Sequence, residues 1–217
     1  MKKIYDIAKE NMLFQGLDPD DFDDLQRCLS AKAARYEKND VILMAGEPVG
    51  FISLILSGSV KAIIEDINGH MTILAEFAAS EIFGEVFACA GITQSPVTIQ
   101  AAQDAEILFI DYGKIMSPGA AARPFQTKLI ENMLKLIAQK NLFLNQKIEI
   151  ISKRTTREKL LCFFDKQRGG SKRFSISMNR EGLAHYLCVD RSAMSKELCK
   201  MRDEGMIKFK RNTFEIV

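Results

Sequence analysis

The side chains best suited to chemistry in this 217-residue chain lie in its last third. Asp190 precedes a helical pattern, as helix-capping residues do. The polar face of that helix carries Arg191, Ser192, Ser195 and Lys196. Arginine can donate two hydrogen bonds to the acceptor atoms of guanine in a DNA major groove, and serine can donate or accept. These side chains therefore predict hydrogen bonding to base edges.

The distribution of charge supports this prediction. Residues 153–217 hold 16 Lys+Arg against 8 Asp+Glu, whereas residues 1–152 hold 14 against 20. A segregated basic segment is typical of nucleic-acid binding. Seven of its other cations are candidates for contacts with phosphates or are solvated charge, namely Arg180, Lys172, Arg173, Lys200, Lys208, Lys210 and Arg211.

The remaining composition predicts neither catalysis nor a metal site. The five cysteines are scattered without a C-x-x-C pair, and His70 and His185 are the two histidines. This pattern argues against a disulfide framework, a zinc site and an iron–sulfur site. No nucleophile–base pair occurs at usable spacing, so we do not expect an enzyme. The chain has no apolar run of membrane-spanning length and does not start with a signal-peptide pattern, so we expect a cytoplasmic protein outside the membrane.

The elements around the polar face follow a winged helix-turn-helix pattern. A strand is predicted at 172–178, a helix capped by Asn179 at 179–187, a second helix to 204 ending at Gly205, and a hairpin at 206–217. The positions expected to be buried are Leu183, Leu187, Val189, Met194 and the closely packed Ala184. Two residues depart from the usual pattern. Cys188 stands where a turn glycine is usual, and Glu197 occupies an often apolar place, so Leu198 is expected to pack instead.

Residues 125–168 contain no glycine or proline and predict a long helical stretch. Its 4-3 repeat is typical of a two-stranded coiled coil, with Asn141 at an a position, and consists of Leu134, Ile137, Asn141, Leu144, Ile148 and Ile151. The alternative is a core helix within one domain. A wider apolar face is expected to pack on the preceding domain, and its members are Leu129, Met133, Leu136, Leu142 and Phe143.

A break is predicted inside this stretch. Thr155 and Glu158 form the pattern of a capping box, which starts a new helix. The chain should therefore bend at 152–155, and the second helix should run to the Gly169-Gly170 pair. Such a bend suits the hand-over between two domains.

The first half of the chain predicts short helices followed by a β body. Apolar residues recur at helical spacing within 4–30. Strands are expected at 41–44, 51–56, 60–64, 71–74, 97–99 and 107–110. Asn68-Gly69 predicts a hairpin, and 82–87 predicts one turn of helix. Six or more short strands in this space indicate a sandwich or barrel.

Motifs in both halves resemble the Crp/Fnr family of regulators. The β body carries, in the family's order, Gly46-Glu47, Gly58-x-Val60-Lys61, Asn68-Gly69 and Phe83-Gly84-Glu85-Val86, and the last third carries 191–198 followed by 204–207. The resemblance implies an α+β fold: an N-terminal double-stranded β-helix (a β-roll or jelly-roll) as sensor, a long dimerisation helix, and a C-terminal winged helix-turn-helix. We expect these at 1–118, 119–152 and 153–217.

The resemblance also implies an effector pocket. In the family, the Gly-Glu pair that corresponds to Gly84-Glu85 begins a phosphate-binding cassette. That cassette ends in an Arg-Ser pair, and here Ser95-Pro96 stands in the place of the Arg-Ser pair. Without the arginine, cyclic AMP is not the expected effector. The pocket residues implied are Phe83, Gly84, Glu85, Val86, Ser95, Pro96, Val97, Lys140 and Asn141. The alternative is a structural role for Gly84 and Glu85 as a turn and a buried hydrogen-bonding partner.

The identity of the effector stays open at this point. Haem is an alternative, with Cys89 or a methionine as ligand, while residues 1–27 lack the cysteine cluster of the iron–sulfur members. The resemblance places base-reading side chains at Arg191 and Lys196. Ser192 replaces the usual glutamate, so the preferred half-site should differ from those of the best-known members. The expected partners are double-stranded DNA with a palindromic operator, a second copy of the chain, a small-molecule effector and RNA polymerase. The rival interpretation is a ligand-binding module whose helix-turn-helix contacts protein.

Overall fold

The computed structural model describes residues 2–66, 68–117 and 123–217, and the chain divides into two compact units, residues 1–138 and 139–217. The helices are α1 (Lys2–Ala8), α2 (Pro19–Cys28), α3 (Glu85–Cys89), α4 (Tyr112–Met116), α5 (Pro124–Ile151), α6 (Thr156–Arg168), α7 (Arg180–Leu187) and α8 (Arg191–Asp203). None of the helices in the described ranges is both long and apolar enough to cross a membrane.

The strands are β1 (Lys32–Tyr36), β2 (Val41–Leu43), β3 (Phe51–Ser57), β4 (Ser59–Glu65), β5 (Met71–Ala78), β6 (Ile82–Phe83), β7 (Thr98–Ala101), β8 (Ala105–Asp111), β9 (Arg173–Ser175), β10 (Ile207–Lys210) and β11 (Thr213–Ile216). The predicted boundary between 118 and 119 lies outside the described residues. The border between the two units falls inside helix α5. The division into three parts, with α5 as a separate dimerisation helix, therefore stays a prediction.

The N-terminal helices form as their local signals predict. Asp18 caps α2, with its side chain accepting from the amide of Asp21 at 2.8 Å, and Pro19 occupies the first turn. A short 3-10 helix at Met12–Phe14 precedes it. Phe14 and Phe22 are buried and meet edge to face, with ring centroids 5.8 Å apart. These helices thus cover one face of the β body.

The β body is a roll of two antiparallel four-stranded sheets. Their strand orders are β1-β8-β3-β6 and β2-β7-β4-β5. All six predicted strands form, but the predictions missed β1 and β6. Strand β1 pairs with β8, and its residues Lys32, Ala33 and Arg35 are exposed. It therefore lacks the alternating large apolar residues that mark a half-buried strand. Strand β6 has two residues, too few for a periodicity to show.

The hairpin predicted at Asn68-Gly69 joins β4 to β5. The strands pair from Ser59↔Ala78 to Glu65↔Met71. The side chain of Asp66 accepts from the amides of Asn68 and His70 at 2.8 and 2.9 Å, and Gly69 has a φ of +82°. Only glycine adopts that φ without strain. The turn is therefore built by an aspartate cap as well as by glycine.

Two cores hold the first unit together. One lies inside the roll and includes Ile55, Val60 and Phe83. The other lies between the N-terminal helices, the β3 face that carries Ile52 and Leu54, and the first half of α5. The face of α5 expected to pack does so at Leu129, Met133 and Leu136. That part of the prediction is confirmed.

The same prediction is wrong for two residues further along α5. Leu142 and Phe143 are 61% and 56% exposed. Among the described residues, Ile137 is the last one of α5 that packs against the core of the first unit.

The second unit is a winged helix-turn-helix. Thr155 and Glu158 form the predicted capping box, and Gly169 ends α6 with a φ of +51°. The sheet has the order β10-β11-β9, so the predicted strand and the final hairpin pair with each other. Phe164 packs against both Phe174 and Phe214, with ring centroids 5.5 and 4.6 Å away, and those two rings are 5.9 Å from each other. This aromatic cluster joins α6 to the sheet.

Candidate nucleic-acid interface and sensor site

The turn between α7 and α8 keeps its geometry without a glycine. The side chain of Asn179 caps α7 by accepting from the amide of Gly182 at 2.8 Å. Cys188 adopts the left-handed conformation, with a φ of +50°, at the place where the sequence lacks the usual glycine. The amide of Val189 then donates to the carbonyl of Ala184 at 3.1 Å. Cys188 therefore forms the turn at some cost in backbone strain.

The predicted apolar positions pack the two helices together. Leu183, Leu187 and Met194 are fully buried, and Ala184 is 1% exposed. Leu198 is also 1% exposed, which confirms that it packs where Glu197 does not. The helix-turn-helix therefore rests on its own core, and the polar face of α8 is left to solvent.

That polar face begins with a capped helix start. The side chain of Asp190 accepts from the hydroxyl of Ser192 at 2.6 Å and from the amide of Ala193 at 2.8 Å. These hydrogen bonds, that of Ser192 first, lower the pKa of Asp190. Arg191 and Lys196 are exposed. Asp190 and Ser192 are thus engaged with each other, and the two cations are accessible.

A cleft of about 910 Å³ lies beside the start of α8. Its lining combines the start of α7, the start of α8 and the β10–β11 turn, and consists of Asn179, Arg180, Glu181, Arg191, Lys210, Arg211, Asn212 and Thr213. Four cations face one carboxylate in this lining. A groove of this sign and position suits a polyanionic backbone.

Arg180 supports the wing from within this cleft. Its guanidinium lies 5.0 and 4.9 Å from the ring centroids of Phe209 and Phe214, and its Nη2 donates to the carbonyl of Arg211 at 3.0 Å. Burial lowers the pKa of this arginine. The contact of Arg180 with DNA stays a prediction, and its contacts within the protein position the wing.

Arg157 of α6 holds α8 in place. Its Nε donates to Glu197 at 2.5 Å, and its Nη1 and Nη2 donate to Glu204 at 2.7 and 3.0 Å. The hydrogen bonds from Arg157 are the main cause that lowers the pKa of Glu204. The unusual polar residue at 197 therefore has a partner in α6 that sequence reasoning missed.

We expect Arg157→Ala to lower the thermal unfolding midpoint, because Glu197 and Glu204 lose the cation that holds the middle and the C-terminal end of α8 to α6. Arg168→Ala is the control, since Arg168 pairs with Asp165 one turn away on the same helix. The deficit should be full above the ordinary glutamate pKa of 4.5 and shrink as pH falls through the lowered pKa of Glu204, because protonation removes the pair in the unsubstituted protein too. Equal midpoints for the two variants at neutral pH would contradict this role.

Two lysines hold the end of α7. Lys147 of α5 lies 3.5 Å from the ring centroid of Tyr186 and donates to its carbonyl. Lys159 of α6 donates to the carbonyls of Leu187 and Cys188 at 3.2 and 3.4 Å. Cations at a helix C-terminus satisfy its free carbonyls and its dipole. The last turns of α5 are thus hydrogen-bonded to the end of α7, and α6 is hydrogen-bonded to the turn that follows it.

In the sensor, the predicted turn of helix starts at Gly84. Gly84 has a φ of +86°, and a Cβ there would lie 2.9 Å from the carbonyl oxygen of Phe51. Phe83 and Glu85 are 3% and 2% exposed, whereas Val86 is 48% exposed. These contacts favour the structural interpretation of Gly84. The assignment of this segment to an effector stays a prediction.

Gly84→Ala should therefore destabilise the protein by about 1–3 kcal/mol, through backbone strain and the close approach to Phe51. The free energy of unfolding in urea measures this. Gly50→Ala is the control, because no described residue beyond its chain neighbours comes within 4 Å of a Cβ added at Gly50 and its φ is not positive. The change it causes should stay within about 0.5 kcal/mol. If the two substitutions have equal effects, the strain argument is wrong.

Ser95 has a structural task where the family cassette has its arginine. It is 3% exposed, and its hydroxyl donates to the carbonyl of Val97 at 2.6 Å. Its amide donates to the carbonyl of Glu47, and its carbonyl accepts from Gly46, both at 2.8 Å. Ser95 therefore joins two loops across the roll, with Pro96 following it.

The remaining predicted residues lie on α5. Lys140 is half-buried, and Asn141 is exposed and accepts from the side chain of Asn145 at 2.7 Å. Of the predicted seam, Leu134, Leu144 and Ile148 are 68%, 57% and 55% exposed. Ile137 and Ile151 are half-buried. The stripe therefore leaves large apolar side chains uncovered in the single chain.

Comparison with known families covers both units. Residues 33–117 match the cyclic nucleotide-binding domain, and residues 158–217 match the Crp-like helix-turn-helix domain. No curated protein sequence matches the chain at a significant level.

Solved structures share the fold at low identity. A protein of Ruegeria pomeroyi DSS-3, provisionally described as a cyclic nucleotide binding protein, is 18% identical, with 99% of this chain and 93% of that one covered and a TM-score of 0.55. The c-di-GMP responsive global regulator CLP of Xanthomonas campestris is 16% identical, with 92% and 99% covered and a TM-score of 0.55. DNR of Pseudomonas aeruginosa is 16% identical, with 98% and 93% covered and a TM-score of 0.53.

The two matched domains thus occur in the order in which regulators of one family carry them. The chain belongs to the Crp/Fnr family, with a cyclic nucleotide-binding domain followed by a Crp-like helix-turn-helix domain.

Proposed function

We propose that the protein is a homodimeric transcription regulator that binds a palindromic operator through α8 and responds to an effector other than cyclic AMP. The observation that carries this proposal is the pair of accessible cations, Arg191 and Lys196, beside a cationic cleft. Residues 153–217, which contain them, hold twice as many basic as acidic residues. Arg191 and Lys196 would read base edges, and the wing cations would meet phosphates.

The apolar stripe of α5 supports a dimer. Leu134, Leu144 and Ile148 are more than half exposed in the single chain and follow the 4-3 repeat. A parallel pairing along this stripe would bring Asn141 against its own copy, which favours two strands in one register. The two helix-turn-helix domains of such a dimer, related by a two-fold axis, would then bind two half-sites, so the operator should be palindromic.

The effector would act through the bend that follows α5. Residues 152–155 separate α5 from the capped start of α6. Lys147, on the last turns of α5, is bonded to Tyr186 at the end of α7. An effector that favours one arrangement of this bend would change the spacing of the two recognition helices. Its binding site would lie at the roll residues 83–86 and 95–97.

We expect millimolar cyclic AMP to change neither the unfolding midpoint nor the affinity for DNA by as much as twofold. A charged cyclic phosphate needs a cation, and the place of the cassette arginine is taken by the buried Ser95 with its own hydrogen bonds. Thermal unfolding with and without the nucleotide measures this, because a ligand that binds the folded state raises the midpoint. A known cyclic AMP binder serves as the positive control. A saturable rise in the midpoint would contradict the expectation.

The function itself is tested by selecting a duplex from a random pool and measuring its affinity at several salt concentrations. We expect tighter binding to the selected duplex than to a scrambled duplex of equal length, and an affinity that falls steeply as salt rises, because phosphate contacts release counterions. Failure to bind any duplex at low salt would favour the rival in which the helix-turn-helix contacts protein.

The names of the similar structures do not choose the effector. One is named for cyclic nucleotides and another responds to c-di-GMP, on the same fold at 16–18% identity. A haem-sensing or redox-sensing regulator remains the alternative, and an absorbance spectrum of the purified protein would reveal a haem. RNA polymerase as partner and the cytoplasm as location belong to this proposal as well.

A further inference from the structure

The turn that joins β10 to β11 holds an arginine in a conformation that favours glycine. Lys210 pairs with Thr213, so the turn consists of Arg211 and Asn212. Arg211 has a φ of +53°. Two-residue hairpin turns need a positive φ at one or both central positions, and glycine or asparagine usually supplies it. A long side chain in this conformation costs free energy, so the surrounding structure has to hold the turn.

Two contacts from outside the hairpin hold this turn. The Nη2 of Arg180, the first residue of α7, donates to the carbonyl of Arg211 at 3.0 Å. The amide of Ile176 donates to the carbonyl of Asn212 at 2.9 Å. Both carbonyls of the turn therefore accept hydrogen bonds from other parts of the domain.

The side chain of Arg180 is itself fixed by the hairpin. Phe209 and Phe214 are cross-strand partners, and their ring centroids lie 5.0 and 4.9 Å from the guanidinium of Arg180. A guanidinium at this distance from aromatic rings is held by cation–π attraction. Its Nη1 is buried and has no hydrogen-bond partner among the described residues. The two rings thus fix the guanidinium beside the turn that it supports.

These contacts leave Arg180 poorly placed to bind a phosphate itself. Arginine binds phosphate best when two of its N–H groups bond the oxygens side by side. In Arg180 one terminal nitrogen is engaged with the carbonyl of Arg211, and the other is buried. Lys210 and Arg211, by contrast, are exposed and line the same cleft as Arg191. The turn therefore presents two accessible cations, and Arg180 supports its backbone.

We propose that Arg180 is a positioning residue of the DNA interface, which holds the β10–β11 turn so that Lys210 and Arg211 meet the phosphate backbone. A turn that is already ordered loses less conformational freedom on binding, so its cations bind more tightly. Arg180 therefore acts on affinity through these two residues. This inference rests on the proposed function, because it requires that the domain binds DNA.

The test is a double-mutant cycle on the full-length protein, with affinities measured by fluorescence anisotropy for the selected duplex and a scrambled one. Arg180→Ala should weaken binding to both duplexes by about tenfold, because the order of the turn is lost and phosphate contacts carry no sequence information. In a protein that already carries Lys210→Ala and Arg211→Ala, the same substitution should weaken binding by less than about twofold. Lys196→Ala is the control, because Lys196 lies outside the cleft lining and should cost the same factor in both backgrounds.

Arg180→Lys separates position from charge. Lysine keeps the positive charge in the cleft but lacks the planar guanidinium with its fixed donors. It should therefore bind both duplexes as weakly as Arg180→Ala does, whereas a direct phosphate contact would largely survive the change. Urea unfolding of each variant shows whether the domain is folded. A general loss of folding would weaken binding equally in both backgrounds, so the coupling in the cycle reports positioning.

The outcomes separate this inference from the proposed function. Equal losses from Arg180→Ala with and without Lys210 and Arg211, in a protein that binds DNA, would overturn this inference alone, as would full binding by Arg180→Lys. A protein that binds no duplex would end the proposed function and this inference together. Loss from Arg180→Ala only where Lys210 and Arg211 are present, with Lys196→Ala additive, would establish that Arg180 acts through the turn.

Discussion

A protein that carries Leu144→Lys together with Ile148→Lys is expected to be monomeric at micromolar concentration and to bind its operator about a hundredfold more weakly or worse. Both side chains belong to the exposed stripe of α5, at 57% and 55% exposure in the single chain. Two lysines on each helix would place like charges across the proposed seam and bury them there. A monomer has one helix-turn-helix domain, so it loses the affinity that a dimer gains by binding two half-sites at once. Sedimentation and fluorescence anisotropy with the selected duplex measure the two effects.

The matched control changes the opposite face of the same helix. Gln139→Lys with Gln146→Lys adds an equal charge at two exposed positions on the side of α5 that faces away from the stripe. We expect this variant to remain dimeric and to bind DNA at least as tightly as the unsubstituted protein, since added positive charge favours nucleic acid. The seam would be misplaced if both double variants had the same mass and the same affinity.

Arg191→Ala is expected to lower affinity for the selected duplex by about 10- to 100-fold, the loss typical of a bidentate arginine–guanine contact. Arg191 is exposed at the start of α8, beside the cleft that ends at the wing. Binding to a scrambled duplex should fall much less, because phosphate contacts elsewhere remain. The ratio of the two affinities is therefore the quantity to measure by anisotropy.

Two further substitutions separate base reading from charge. Arg191→Lys keeps the charge but not the planar pair of donors, so it should lose the same discrimination with little change in salt dependence. Arg27→Ala removes one positive charge from α2, where the side chain is 75% exposed, and should leave both affinities unchanged. An Arg191→Ala protein that still prefers the selected duplex would remove this arginine from the set of base readers.

Local signals explain why much of this fold is predictable. The capping box of Thr155 and Glu158, and the caps Asn179 and Asp190, act within three residues, so the sequence pattern contains both partners. The apolar positions of a helix-turn-helix are also set by local spacing. Long-range partners leave no such trace. Arg157 finds Glu197 and Glu204 at separations of 40 and 47 residues, and nothing in the sequence pairs them.

The sensor shows the same limit. The substitution of the cassette arginine is readable from sequence, but the task of Ser95 depends on loops that close only in the folded roll. The sequence does not predict strand β1, because this mostly exposed edge strand consists of two cations, two alanines and one tyrosine and has no alternation of large apolar residues. Cys89 and Met133 come together through the packing of α3 on α5, which no local pattern predicts.

The most direct test of the regulator is the composition of its complex with DNA. Native mass spectrometry of the protein with the selected palindromic duplex should show two chains per duplex, and a duplex with one half-site replaced should bind far more weakly. One chain per duplex at saturation, with equal affinity for the whole and the half-replaced duplex, would contradict the dimer on which the account depends.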